Sequence, residues 1–128
     1  MARPRHQHPT PGELEILQVL WDRGPCTVRQ VHEALKRRQS TGYTTKLKIM
    51  QIMAEKKLVT RDESTRSHVY KAAISKNQTQ RRVVKDMIEK VFGGSSTNLV
   101  MRAFATKQPT EAELGQVRKL LEEYSREH

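Results

Sequence analysis

Cysteine is almost missing from this chain. The single Cys26 excludes an internal disulfide and suits a reducing cytosol. Aromatic residues make up only 5%, so aliphatic side chains and methionine must build the core. No apolar run reaches the roughly 18 residues that a membrane-spanning helix needs. Residues 1–12 carry charge but no apolar centre, which argues against a secretory signal. The motifs GxxxxGKS/T, HExxH, CxxC and GxSxG are absent, and the carboxylates fall mostly at capping or solvent positions. Nothing in the pattern calls for catalysis, a cofactor or a metal.

What the chain has in excess is positive charge. The 128 residues hold 24 Lys and Arg against 14 Asp and Glu, a net of +10. A field of that size attracts polyanions and speeds encounter with them. The charge is uneven: residues 1–77 hold 15 basic and 7 acidic residues, net +8, and residues 78–128 hold 9 and 7, net +2. The first part faces the polyanion, and the second has another task.

Residues 1–9 are expected to form a disordered basic arm. It is either a loose tail or an arm that reaches a minor groove. His6 and His8 within it do not make a metal site. Thr10-Pro11-Gly12-Glu13 opens a first helix with a capping box and a proline in the first turn. Leu14, Ile16, Leu17, Leu20 and Trp21 give it an apolar face, and Gly24-Pro25 ends it. Thr27, with Gln30 three residues on, caps a second helix whose buried stripe is Val28, Val31, Ala34 and Leu35. Lys36, Arg37 and Arg38 close it, either offsetting the negative helix pole or touching phosphate. Cys26 lies in the turn between these helices, where an inert buried thiol outweighs a sensor.

Thr41 to Lys57, TGYTTKLKIMQIMAEKK, is the stretch around which the chain is organised. Ile49, Ile52, Met53 and Ala54, with Leu47 and Met50, recur at helical spacing and require a core. Thr44, Thr45, Lys46, Lys48 and Gln51 crowd the opposite side, and no carboxylate appears before Glu55. Donors and short polar groups at the leading end suit a groove lined with phosphates and base edges. Two short helices, a turn with glycine and this third helix make a helix-turn-helix. Leu58–Asp62 and Ser67–Ala72 then alternate as two strands around a polar turn, a hairpin wing. Arg61, Arg66 and His68 are its candidate donors to phosphate; for His68 a structural hydrogen bond is an equal alternative.

Residues 76–128 return to helical periodicity. Val84, Met87, Ile88, Val91 and Phe92 mark one helix stopped by Gly93-Gly94. Leu99 and Phe104 belong to a shorter one that starts at Ser95 or Ser96. Leu114, Val117 and Leu121 lie on a last helix capped by Thr110 with Glu113. About fifty residues in three helices bury too little surface to stand alone. These stripes are therefore the expected interface of a homodimer.

These residues in this order resemble the penicillinase repressor family, which includes the β-lactamase and methicillin-resistance repressors. PGELEILQVLW (11–21) is similar to the family's first helix, and GYTTKLKIMQIMAEKKLV (42–59) to its recognition helix and following strand. RSHVY (66–70) resembles the wing, and SSTNLVMRAF (95–104) and TEAELGQVRKLLEE (110–123) the dimer region. The resemblance implies a cytoplasmic winged-helix dimer that represses transcription from a palindromic operator on double-stranded DNA and is released by an inducing signal. Three departures stand out. Lys46 replaces a usually apolar β-branched residue, so that position is expected to be exposed and to add a phosphate contact. The Asn-Phe bond cut by a signalling protease in β-lactam-responsive members falls here at Arg102-Ala103. The paired cysteines of copper-responsive relatives are missing.

The expectation is thus a mainly α chain with a small β-hairpin wing: a winged helix-turn-helix DNA-binding domain over residues 10–75 and a helical dimerisation region over 76–128. It is not an enzyme, has no cofactor and does not insert into a membrane; an upstream sensor or protease is a candidate partner. Two other readings use the same residues. One is a protein-interaction adaptor on a winged-helix scaffold, and the other a non-specific architectural DNA-binding protein.

Overall fold

The computed structural model describes residues 9–38 and 41–128. The expected N-terminal arm lies outside them, apart from Pro9. Six helices and three short strands follow in the order α1 (Pro11–Arg23), β1 (Cys26–Thr27), α2 (Val28–Leu35), α3 (Tyr43–Glu55), β2 (Val59–Asp62), β3 (Val69–Ala72), α4 (Lys76–Lys90), α5 (Ser96–Thr106) and α6 (Glu111–Glu127). The chain divides into two compact units, with the boundary between Val83 and Val84. Among the described residues no helix is long and apolar enough to cross a membrane.

The first unit is a winged helix. Helix α1 starts at Thr10, whose hydroxyl accepts from Glu13 N at 3.1 Å while Glu13 Oε1 accepts from Thr10 N at 2.9 Å. Pro11 lacks the N–H that would be orphaned at this position, so it costs nothing there. The helix ends at Gly24, whose φ of 87° is easy only for glycine. Helix α2 repeats the capping box with Thr27 and Gln30. Their buried faces hold the expected Ile16, Leu17 and Leu20 from α1 and Val28, Val31 and Leu35 from α2, and α1 buries Glu13 and Val19 as well. Leu14 and Trp21 pack at the margin of this core. Trp21 Nε1 donates to the Ile74 carbonyl at 3.1 Å, tying α1 to the segment after the sheet.

The sheet is antiparallel, in the order β1-β3-β2. Strand β3 is central and pairs Tyr70 with Cys26 on one side and with Arg61 on the other. Residues 63–68 form the tip of the wing. The expected hairpin is present, with strands shorter by a residue or two. The third strand, Cys26–Thr27, replaces the expected plain turn; two residues are too few to show a period of 2 in the sequence. Pairing with β3 covers what would otherwise be a free edge of the sheet.

Helix α3 differs from its expected orientation. Its fully buried side chains are Lys46, Met50 and Met53, at i, i+4 and i+7. Leu47, Ile49 and Ala54 pack beside them, while Ile52 is 39% exposed. Apolarity alone puts Ile52 inside and Lys46 outside; the structure does the reverse. The four-methylene stem of lysine fills core space much as methionine does, provided the ammonium finds acceptors. At its far end α3 closes through Lys57, a non-glycine residue with φ of 68°. Lys57 N bonds Ala54 O at 3.1 Å and Leu58 N bonds Met53 O at 2.9 Å, a Schellman closure that turns the chain into β2.

The second unit, from Val84 onward, holds the end of α4 and the whole of α5 and α6. Gly93 and Gly94, both with positive φ, carry the chain from α4 toward α5. Ser95 caps α5, and Thr110 with Glu113 forms a capping box on α6. These helix ends are well made, yet no residue from Val84 to His128 is buried.

Candidate nucleic-acid interface

The outer side of α3 carries Thr44, Thr45, Lys48 and Gln51, all exposed. Thr44, Lys48 and Gln51 fall at i, i+4 and i+7 and form one stripe, with Thr45 alongside. Lys48 makes no ion pair with a described residue, so its ammonium is available to an anion. Ile52 joins this surface instead of the core, and Glu55 ends it. The helix reaches this position because α2 and α1 pack against its inner side and β2 follows it directly.

Lys46 does not belong to that surface. It is fully buried, and Nζ donates to the Thr41 carbonyl at 2.9 Å and to Thr41 Oγ1 at 3.1 Å. The expected phosphate contact is therefore withdrawn, because the ammonium points inward and has acceptors there.

On the wing, Arg66 and His68 are exposed. Arg61 is held within the hairpin. Its Nη2 lies 2.6 Å from Glu63 Oε2. Its guanidinium donates to the cross-strand Tyr70, which raises its pKa; desolvation opposes this, and the Glu63 charge adds a smaller rise. Of the three wing donors expected from the sequence, two are open and one is engaged inside the protein.

Two further residues enlarge the surface. Arg29, near the start of α2, sits over the Tyr43 ring with Cζ 5.2 Å from the centroid. His32 meets the same ring edge-on, with centroids 6.2 Å apart and planes at 87°. Tyr43 is the first residue of α3 and is 39% exposed. An exposed aromatic at a helix start was the available sequence signal; its pairing with Arg29 could come only from the approach of α2 to α3.

Glu13 has a second role that the capping pattern hides. It is buried, and both its oxygens accept from Lys56 Nζ, at 3.1 and 2.9 Å. The pair fastens the start of α1 to the end of α3. Cys26 is a buried free thiol whose pKa is raised chiefly by burial, with Arg23 opposing. No group of His, Cys, Asp and Glu among the described residues could hold a metal ion.

The residues expected at a dimer interface lie on the end of α4, on α5 and on α6, with Val91 and Phe92 in the turn after α4. Val84, Met87, Val91, Phe104 and Leu121 are exposed, and Ile88, Phe92, Leu99, Leu114 and Val117 are half-buried. Leu121 is 60% and Val91 68% exposed.

Comparison with known proteins fits this arrangement. The model of the family described as penicillinase repressor matches residues 9–123. The transcriptional regulator BlaI of Mycobacterium tuberculosis, found in two strains, is 31% identical over 99 residues, covering 75% of this chain and 72% of the relative. Members of the family are transcriptional regulators and not enzymes. A winged helix with a polar, cationic outer face on α3, matched along almost its whole length by that family, makes this chain a member of the penicillinase repressor family.

Proposed function

We propose that the chain is a sequence-specific DNA-binding transcriptional repressor that works in the cytoplasm as a homodimer on a dyad operator. The observation that carries this is the outer face of α3, where Thr44, Thr45, Lys48 and Gln51 are exposed together and no carboxylate intervenes before Glu55. Short hydroxyls, an amide and a free ammonium are the groups that bond base edges and phosphates in a major groove. Arg66 and His68 on the wing, and Arg29 beside Tyr43, flank that face with further donors.

Residues 10–75 are the DNA-binding part in this reading and residues 76–128 the dimerisation part. The lack of any buried residue beyond Val83 supports the second assignment, because large apolar side chains at helical spacing need a cover. A two-fold dimer places two copies of α3 in successive major grooves, about 34 Å apart for half-sites one turn apart. Release by an inducing signal is part of the reading. Arg102 and Ala103, at the position of the family's cleaved bond, lie within α5.

Selection from random duplexes by the purified chain tests the proposal. The expected outcome is an enriched inverted repeat. Enrichment of no sequence, with DNA retained all the same, supports an architectural protein. No salt-sensitive DNA retention at all supports a protein-interaction adaptor.

A further inference from the structure

We infer that Lys46 is a positioning residue for the DNA-reading face of α3, holding the entry of that helix from inside the core. The inference rests on the DNA-binding reading above. The other five helices are each fixed at their start by a side chain that accepts from the first turn: Thr10, Thr27, Ser75, Ser95 and Thr110. Helix α3 begins at Gly42, which has no side chain to offer, and no side-chain cap bond is present there. In its place the Lys46 side chain reaches back past Gly42 to Thr41. Its ammonium donates to Thr41 O and Oγ1, while its backbone N–H makes the ordinary first helical bond to the Gly42 carbonyl at 3.2 Å. Thr44 and Thr45 lie inside the loop that these bonds close.

A direct DNA contact is excluded for Lys46 by its complete burial. A simple stabilising role is a poor account as well. The ammonium is removed from water against two neutral acceptors, and no carboxylate among the described residues pairs with it. Replacing a buried charged group of this kind by an apolar one of similar volume is often neutral or stabilising. Methionine at 46 would continue the buried stripe of Met50 and Met53. What lysine adds and methionine cannot is a fixed position for Thr41, and through it for the helix entry that carries Thr44, Thr45 and Lys48.

The test is Lys46→Met in the full chain, on the duplex selected by the wild type and on a scrambled duplex. Operator affinity should fall about tenfold, as expected when the binding-competent geometry drops to roughly a tenth of the population. Scrambled-duplex affinity should change less than about threefold, and the melting temperature should stay or rise. The dependence of log affinity on log salt should keep its slope; a fall of about 1 would mean that a phosphate contact had been lost and would overturn the inference. Unchanged operator affinity, or a melting temperature that falls in step with it, overturns it too. Thr41→Val removes the hydroxyl and leaves the carbonyl acceptor, and should cause a smaller loss in the same direction. If Lys46→Met does not fold, Thr41→Val alone decides, and wild-type selectivity in it would contradict the tether. If the wild type selects no sequence, the DNA reading fails on its own. The tether is then read by amide exchange at residue 46, the first bonded amide of α3, which should quicken in Lys46→Met; unchanged protection overturns it.

Discussion

The ammonium of Lys46 lies 2.9 Å from the carbonyl oxygen of Thr41, inside the protein, at a position where the sequence pattern puts lysine on the surface. Lys46 and Lys48 are two residues apart and so face different sides of the helix. One faces the core and secures the start of α3. The other faces outward and is available to an anion.

The bond between Glu13 and Lys56 joins the two ends of the helix-turn-helix core. Glu13→Ala removes that bond and half of the α1 capping box together. Lys56 keeps about a third of its surface in water, so its charge is not stranded when the partner goes. The expected cost is about 1–3 kcal/mol of unfolding free energy. Urea unfolding measures it, and a loss under a few tenths of a kcal/mol would show that the pair is ornamental.

The orientation of α3 is tested by a pair of neighbours. Met53 is fully buried, so Met53→Ala should cost about 2–5 kcal/mol. Ile52→Ala removes a side chain already 39% exposed and should cost less than about 1 kcal/mol. Thermal or urea unfolding of the two variants compares them directly. Equal costs would place Ile52 back in the core.

Cys26 should be a slow thiol. Burial raises its pKa, which keeps the neutral form in the folded protein and lowers the thiolate fraction near neutral pH. A raised folded-state value also means that the stability it contributes is full below the ordinary thiol range. That contribution is lost as pH rises through the folded value. Alkylation by iodoacetamide at pH 7.5 should run at least about tenfold slower in the native protein than in urea. Equal rates would point to an accessible thiol.

The second unit gives a prediction about assembly. Leu121, 60% exposed in the single chain, belongs to the apolar stripe of α6. Leu121→Asp should weaken self-association at least about tenfold by placing a charge in an apolar contact, and operator binding should weaken with it. Sedimentation velocity reads the first effect and anisotropy the second. An unchanged dimer would place the interface elsewhere.

Much of this was legible in the residues. Thr10, Thr27 and Thr110, each followed three residues later by Glu or Gln, announced their helices, and all three capping boxes formed. The stripes of α1 and α2 were read in the main, because most of their apolar residues have no rival for the core; Val19, also buried, was missed, and Leu14, Trp21 and Ala34 lie at the margin. In α3 the stripe has a rival, since a lysine with a long apolar stem and a local acceptor can displace an isoleucine. Nothing in the spacing reveals that acceptor, which is a backbone carbonyl brought close by the turn. The strand at Cys26–Thr27, the reach of Lys56 to Glu13 and the stacking of Arg29 on Tyr43 all depend on segments distant in sequence, so no local pattern could carry them. On the wing the sequence supplied three donors but not the ion pair that engages Arg61.

The most direct test of the DNA-reading face is fluorescence anisotropy of the wild type and Lys48→Ala on the selected operator and on a scrambled duplex, at one fixed salt concentration. The wild type should prefer the operator. The variant should lose about 1–3 kcal/mol on it, the range for a base-contacting cation, and clearly less on the scrambled duplex. A wild type that binds both duplexes alike, or a variant that loses the same on each, would contradict base reading by Lys48 from this face of α3.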